Sequence, residues 1–598
     1  MHYDLWRHLR IAWANKINAM KKIFGLLKDI VGWIFLAAMV AVSLFVLGVI
    51  IVLRHDLANN LGLAFTLSAG GIAAVIVLLF LWWICRSYGV RSTTIVFGGF
   101  TVLTLLFYVE EDWCGWHAWR SFKHQNPDLS AKLDFVSMSP PPVPDDQNFA
   151  MTPIAASSYA AMLDREGHEM IPRNENVVNR LQMCIYGDDD GKNLNAGSWA
   201  EGRMTDLRIW QNYYRTLAAK TNLFPVLPQP QSSAADVLLA LSKYDAPVEE
   251  LRHANRLPNS RFPLSYDKPN PAEMLLPHLA ALKRCTEMLA LRATAELRNN
   301  QTEIAAADTL LALQLASKIR TEPVLISQLV RIAMFQLTLQ PVWEGLARKQ
   351  WSEAQLVLLD NELGKLDFLA DYDVAMHGEL CFGSELIEYF RHVDSPLREL
   401  GNLTGNLGES KMPLAVIPLV LGPSGWYDQN HLVIAKFFQK WYFHVMDNEK
   451  RTCSPAFVER AAKAIRTEIK PGNPCFVFGS LMLPGLDVAA RKFAHAQASI
   501  DLARTAIALE RYRLVHGEFP DSLNALPPQF IESIPYDVIG GKPLHYRLTD
   551  QGQFVLYSVG WNETDDGGVM GYSNGGKSLD ITAGDWVWFS NQIDSNQK

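Results

Sequence analysis

The chain has 598 residues, too many for one hydrophobic core, so the sequence predicts two to four domains. Its net charge of -7 offers no basic surface to replace the counterions of a nucleic acid, and we expect no nucleic-acid partner. The apolar fraction of 49% is ordinary for a globular protein, and Gly and Pro are too few for a disordered chain.

Three apolar stretches near the N-terminus predict transmembrane helices. They are Val31–Leu53, Leu61–Cys85 and Thr93–Val109. A helix needs about 20 apolar residues to cross a bilayer core, and a backbone in lipid must satisfy its own hydrogen bonds. Three such stretches in series disfavour the two alternatives, a buried core helix and a cleaved signal peptide.

The charges that flank these stretches predict an orientation. Lys and Arg precede the first stretch and follow the second, whereas Glu110, Glu111 and Asp112 follow the third. Because positive charge marks cytoplasmic loops, we expect a multi-pass protein of the inner membrane with a periplasmic C-terminal region. Residues 1–30 are basic and amphipathic, which favours a helix that lies on the inner leaflet. Residues 31–110 contain the three predicted spans. The lipid bilayer is therefore an expected partner.

Residues 111–270 are expected to form an aromatic and Pro-rich segment with helices. The prolines between Pro140 and Pro144 force an extended path, either as a rigid spacer or as a strip docked on the rest of the protein. Helices are predicted to start at Thr205-Asp206 and to cover Ser233–Tyr244.

Residues 271–492 are predicted to form a helical domain, and residues 493–598 a small α+β domain. Met274–Ile319 reads as two helices split near Asn299-Asn300. Ser499–Val515 reads as a helix closed by Gly517, followed by strands at Leu544–Leu548 and Phe554–Val559. The predicted class is mainly α, with three transmembrane helices, a large helical soluble domain and the small C-terminal α+β domain.

The C-terminal region resembles a known module in the order of its motifs. These motifs are Arg511–Pro520, Ile534–Asp537, Gly541–Tyr546, Leu556–Gly560 and Asp565–Gly568. The ordered set, over residues 493–590, resembles the C-terminal domain of the major pseudopilin of type II secretion systems. The resemblance implies that the terminal loop binds calcium, with Asp565, Asp566 and Asp580 as metal ligands. Calcium prefers six to eight oxygen ligands, which agrees with such a site, and a solvated Asp/Gly turn is the alternative.

Two further segments resemble parts of a widespread group of uncharacterised bacterial envelope proteins. They are Pro140–Ala150 and Arg256–Tyr266. The resemblance implies no activity, because none is established for that group.

Six cysteines follow the predicted spans, at positions 114, 184, 285, 381, 453 and 475. An even number in an oxidising compartment permits three disulfides, and the alternative is that most are small buried hydrophobes. No CxxC pair occurs, so we expect no structural zinc site.

The best enzymatic candidates lie on one predicted helix. They are His377, Glu379, Glu385, Glu388 and His392. The last three share one helix face, which we interpret as a solvated face with a Glu388–His392 pair, and the alternative is a face that holds a metal or an acid–base pair. Asp145-Asp146 could be paired carboxylates or a helix cap, and His495 is expected to be structural.

The sequence favours a non-enzymatic envelope protein that mediates protein interactions in the envelope or in secretion, and it assigns no catalytic residue. Phosphate-binding loops and the HExxH metalloprotease motif are missing from the sequence. The alternative is a membrane-anchored envelope hydrolase with an acidic active site in the helical domain. A solute-sensing module is a weaker third, because no cytoplasmic output domain extends beyond residues 1–30.

Overall fold

The structure is a computed structural model, and it describes residues 98–99, 101–163, 178–187, 194, 197–399, 401, 416–470, 472–573 and 578–591. These residues are mainly helical, with a small sheet region near the C-terminus, which confirms the predicted fold class at this level. Contacts divide the chain into two units. The first comprises Met1–Ser121, Phe390–Asn430 and Pro471–Val477, and the second comprises Phe122–Tyr389, His431–Lys470 and Phe478–Lys598.

The longer helices are numbered in chain order. They are α1 (Leu207–Ala218), α2 (Ser233–Leu241), α3 (Asp245–Asn255), α4 (Pro277–Arg298), α5 (Thr302–Ser317), α6 (Leu325–Ala347), α7 (Glu353–Leu363), α8 (Phe368–His392), α9 (Gly425–Lys440), α10 (Pro455–Glu468) and α11 (Leu486–His516). Shorter helices lie at Pro127–Ser130, Phe135–Met138, Pro153–Ala156, Val416–Leu421 and Val477–Met482, and residues 101–125 are also helical.

The strands of the described residues are short and antiparallel. They are β1 (Met446–Asp447), β2 (Thr452–Cys453), β3 (His545–Leu548), β4 (Phe554–Ser558), β5 (Met570–Ser573), β6 (Ser578–Gly584) and β7 (Trp586–Phe589). Strands β3, β4 and β7 form one sheet in that order, with Tyr546 opposite Leu556, while β1 pairs with β2 and β5 with β6. The two strands predicted from alternation are thus confirmed as β3 and β4.

Local signals explain where several helices begin and end. The Asp206 side chain accepts the N–H of Arg208 and caps α1, as predicted. Asn300, with φ +59°, separates α4 from α5 at the predicted split. Helix α11 ends at the left-handed Gly517, also as predicted, but it begins at Leu486 rather than Ser499. The earlier start follows from the Ala-rich sequence before residue 499, which continues the buried side of the helix.

Helix α4 lies at the centre of the second unit. It packs against α2, α5 and α6, and most of its residues are buried. Next to it, α6 carries a fully buried Arg331 that forms an ion pair with Asp371 of α8. A charge in this position needs its partner, because an unpaired buried charge is strongly destabilising.

The C-terminal sheet is docked on the helices of the second unit. Helix α11 contacts α6, α7 and α10 as well as strands β4 and β7. The Trp343 indole N–H of α6 donates to the Phe589 carbonyl at 2.8 Å, and the buried Trp588 ring lies 5.4 Å from that of Trp199. The sheet therefore shares its core with the helical region.

Within the first unit, the helix that includes residues 101–121 packs closely against the start of α9. A Cβ added to Gly115 would lie 2.1 Å from the Gly425 carbonyl oxygen, and one added to Gly425 would lie 2.2 Å from the Glu111 carbonyl oxygen. Asp112 accepts the Gly425 N–H at 2.7 Å. Glycine is required on both sides of this contact, because any larger residue would overlap backbone atoms.

The membrane prediction does not agree with the structure. None of the helices within the described ranges is both long enough and apolar enough to cross a bilayer. This finding contradicts the predicted three spans and the multi-pass inner-membrane location, and that prediction is corrected. Residues 1–97, which hold the amphipathic segment, the first two predicted spans and the start of the third, lie outside the described residues. The rest of the third predicted span belongs to a helix that continues to residue 125. This helix includes Glu110, Glu111 and Asp112, and their charges lower its apolar character.

The six described cysteines all have free thiols, so the structure contains none of the permitted disulfides within the described part of the chain. Cys285, Cys381 and Cys453 are buried, as the alternative expects of small hydrophobes, whereas Cys184 and Cys475 are partly buried and Cys114 is exposed. The Cys381 thiol donates to the Lys132 carbonyl at 2.8 Å.

Candidate functional site

The Pro-rich strip, which is part of the second unit, is docked on other residues of that unit and is not a spacer. The buried Asn148 side chain donates to the Arg261 carbonyl at 2.9 Å and accepts the Arg261 N–H at 2.8 Å. The Phe149 N–H donates to the Asn259 carbonyl, also at 2.8 Å. In return, Arg261 Nε donates to the Pro140 carbonyl at 2.9 Å. The strip and the loop after α3 therefore hold each other in place.

A cavity of about 770 Å³ lies between this strip, the end of α3 with its following loop, one face of α5 and the end of α7. We call it the basic groove. Its volume is within the range of ligand-binding clefts. The lining contains one carboxylate, Glu362, and six cationic side chains, namely Arg252, Arg256, Arg261, Lys318, Arg320 and Lys365. A strongly cationic lining is unexpected in a chain whose net charge is -7.

Half of these cations are neutralised by neighbouring carboxylates. The pairs are Arg252 with Glu249 and Asp308, Arg320 with Asp371, and Lys365 with Glu362. Arg256, Arg261 and Lys318 have no carboxylate partner among the described residues. No carboxylate of the described structure offsets the positive charge of these three side chains.

The three uncompensated cations differ in how they are held. Lys318 Nζ donates to the carbonyls of Asn255 and Leu257 at 3.0 Å each, at the C-terminal end of α3. Burial lowers the pKa of Lys318 to about 8. Arg261 is fixed by the Pro140 carbonyl, whereas the Arg256 side chain is exposed and contacts no acceptor in the described part of the chain. Arg256 is therefore the cation most available to a ligand.

Two buried polar atoms of groove residues also lack a partner. Asn255 Oδ1 and Ser260 Oγ make no hydrogen bond within the described structure, while Asn255 Nδ2 donates to Gln314 Oε1 at 2.5 Å. Buried polar atoms in native proteins are nearly always hydrogen-bonded. Both atoms lie beneath the surface of the groove, so they belong to its wall rather than to the surface that a ligand would contact.

Buried ion pairs fix the wall between α3 and α5. Asp308 has no exposed surface and contacts Arg252, and Arg292 Nε lies 3.0 Å from Asp308 Oδ2. Burial raises the pKa of the Asp308 carboxyl and the nearby arginines oppose that shift. The neighbouring Glu296 accepts from the same Arg292 nitrogen at 3.1 Å. This network positions the α5 face that lines the groove.

The three predicted calcium ligands lie in two different local structures, a loop and a strand. Asp565 accepts the N–H of Gly567 at 3.0 Å in the loop after β4, and Asp566 is its neighbour. Asp580 of β6 accepts both the hydroxyl and the N–H of Thr582, at 2.6 and 2.9 Å. In the described ranges, no group of three or more His, Cys, Asp or Glu side chains is arranged to hold a metal ion. As placed, these residues do not form a ligand set, and the calcium site stays a prediction.

Asp585 holds the backbone of the loop at Asp565–Gly568, and the sequence did not assign it as a ligand. Its carboxylate is buried and accepts the N–H groups of Asp566 at 3.2 Å and Gly568 at 2.6 Å. Residues 574–577 lie outside the described residues. Asp585 thus fixes the loop through backbone contacts.

The acidic residues predicted on α8 serve separate structural contacts. Glu385 Oε1 accepts the N–H of Phe135 at 2.7 Å, and burial raises the pKa of its carboxyl to about 7. Burial also raises the pKa of Glu379 to about 7. His377 Nδ1 contacts the Asp373 carbonyl at 2.9 Å. These contacts do not gather the carboxylates into one cleft.

Glu388 takes part in the arrangement that is nearest to a catalytic constellation. Its Oε1 lies 2.9 Å from His431 Nε2, and Ser384 Oγ lies 3.4 Å from His431 Nδ1. The hydroxyl–imidazole distance is long for a hydrogen bond, and His431 is buried. His392 lies at the end of α8. We therefore assign no nucleophile.

The remaining predicted polar residues have structural positions. Asp145 and Asp146 are exposed and open a 3-10 turn, Asp145–Gln147, next to the Pro-rich strip. Burial lowers the pKa of His495 to about 4, and its ring lies 5.0 Å from that of Trp586, which confirms its structural role.

The basic groove is the arrangement best suited to a ligand, because it combines volume with cations that have no carboxylate partner among the described residues. No protein-family model, curated protein or solved structure matches this chain.

Proposed function

We propose that the chain is a non-enzymatic protein that mediates protein interactions, and that the basic groove holds an anionic group of its partner. One observation carries this proposal: Arg256, Arg261 and Lys318 line a groove of about 770 Å³ without a carboxylate partner among the described residues. Hydrogen bonds between charged groups are roughly twice as strong as neutral ones, so an anion in the groove would be favoured. Cationic clefts also attract anionic partners over a distance.

In this proposal the C-terminal region is a pseudopilin-like module that adds a second interaction surface. The ordered motifs between Arg511 and Gly568 support it. So does the order of elements, a long helix α11 followed by the antiparallel strands β3, β4 and β7.

Fluorescence anisotropy of the full chain with a fluorescein-labelled hexaglutamate peptide tests the proposal. We expect saturable binding that weakens as salt rises. Arg256→Glu should weaken binding by about tenfold or more, because a charged hydrogen bond contributes about 1.5–3 kcal/mol. Lys220→Glu is the matched control, since it makes the same charge change at an exposed lysine that does not line the groove. Equal losses in both variants, or no loss in Arg256→Glu, would contradict the proposal.

A further inference from the structure

We propose that the ligand of the basic groove is an extended acidic peptide segment in which carboxylate and apolar side chains alternate. This inference rests on the proposed function, since it names the class of partner for the same site. Two features of the groove support it, namely its length and its mixed lining.

The length of the groove fits a short extended peptide. Its α5 wall is lined from Ala307 to Lys318. At 1.5 Å per residue this face is about 16 Å long. An extended chain advances about 3.3 Å per residue, so about five residues fit along the wall. A single small anion would occupy only a fraction of that length.

The lining combines apolar and cationic side chains. Leu310, Leu311 and Pro141 line the groove together with Arg256 and Arg261. Side chains of an extended peptide point alternately to opposite sides. A peptide with alternating acidic and apolar residues can therefore place carboxylates near the arginines and bury apolar side chains against the leucines and proline.

Competition binding with the full chain tests this inference. The probe is a fluorescein-labelled peptide of sequence Glu-Leu-Glu-Leu-Glu-Leu, and the competitors are the unlabelled peptide, its block isomer Glu-Glu-Glu-Leu-Leu-Leu, and sodium tripolyphosphate. We expect the alternating peptide to compete about tenfold better than the block isomer or tripolyphosphate. Leu310→Gln should weaken the binding of the alternating peptide by severalfold and leave the weak binding of tripolyphosphate unchanged. Lys220→Glu should change the binding of neither ligand.

The outcomes separate this inference from the proposed function. If tripolyphosphate or the block isomer competes as well as the alternating peptide, and Arg256→Glu abolishes all binding, the groove binds anions but the peptide inference is overturned. If no probe binds, or if binding is insensitive to Arg256→Glu, the proposed function fails together with the inference.

Discussion

Replacing Asp308 with Asn should strongly destabilise the second unit. The carboxylate is fully buried and faces two arginines, Arg252 and Arg292, whose side chains are 22% and 12% exposed. Asn keeps the size of the side chain but removes its charge. Burial by itself disfavours the carboxylate, as it does at Glu379, but here the loss of the charge leaves two guanidinium groups, which stay ionised, without their buried partner. Breaking a buried ion pair by removing one member costs about 3–5 kcal/mol.

Asp245→Asn is the matched control. Asp245 contacts the same Arg292 at 3.0 Å, but its side chain is 60% exposed. Exposed ion pairs contribute about 0–1 kcal/mol, so this variant should remain close to the parent. Urea unfolding of the full chain, followed by tryptophan fluorescence, compares the midpoints. If the two variants shift the midpoint equally, or if Asp308→Asn costs less than about 1 kcal/mol, the buried network does not hold the groove wall.

Three further predictions concern other parts of the chain. Gly425→Ala should lower the melting temperature and reduce the free energy of unfolding by about 1–3 kcal/mol, because its Cβ would overlap the Glu111 carbonyl. Gly472→Ala is the control, since its Cβ meets nothing within 4 Å. Burial raises the pKa of Glu379 to about 7, so its contribution to stability is complete below about pH 4.5 and is lost as pH rises through 7. Glu379→Gln should therefore stabilise the protein by about 1–3 kcal/mol at pH 8 and have no effect at pH 4.5, measured by thermal melting. The calcium prediction requires that calcium raise the melting temperature of the full chain and that Asp565→Ala remove this effect; equal melting in calcium and in chelator would eliminate it.

Elements specified by local sequence were predictable. The split at Asn299-Asn300, the end of α11 at Gly517 and strands β3 and β4 follow from periodicity and from residues that favour caps or turns. The start of α11 was placed too late, because its first turns are rich in alanine and show little apolar periodicity although they are buried.

The basic groove could not be predicted, because its residues come from segments spread between Pro140 and Lys365. The Pro-rich strip, the loop at Arg261 and the end of α5 meet only in the folded chain. A signal was nevertheless present: the sequence singled out Pro140–Ala150 and Arg256–Tyr266, and the structure joins these two segments through Asn148. What the sequence did not reveal is which cations lack a carboxylate partner, since ion pairing depends on tertiary contacts.

The acidic site that was the alternative interpretation of the α8 face is not assembled in the structure, for a related reason. Spacing along a helix places Glu385 and Glu388 on one face, but it does not say what packs against that face. The structure places the Phe135 backbone against the first and His431 against the second, so each carboxylate serves a different contact.

The central claim is that the basic groove binds an acidic partner segment through its uncompensated cations. The most direct test is the ratio of dissociation constants of the Arg256→Glu and Lys220→Glu full-length chains for the alternating Glu-Leu peptide. The proposed site predicts a ratio of about ten or more, with Lys220→Glu equal to the parent. A ratio of one would contradict the claim and remove the groove as the binding site.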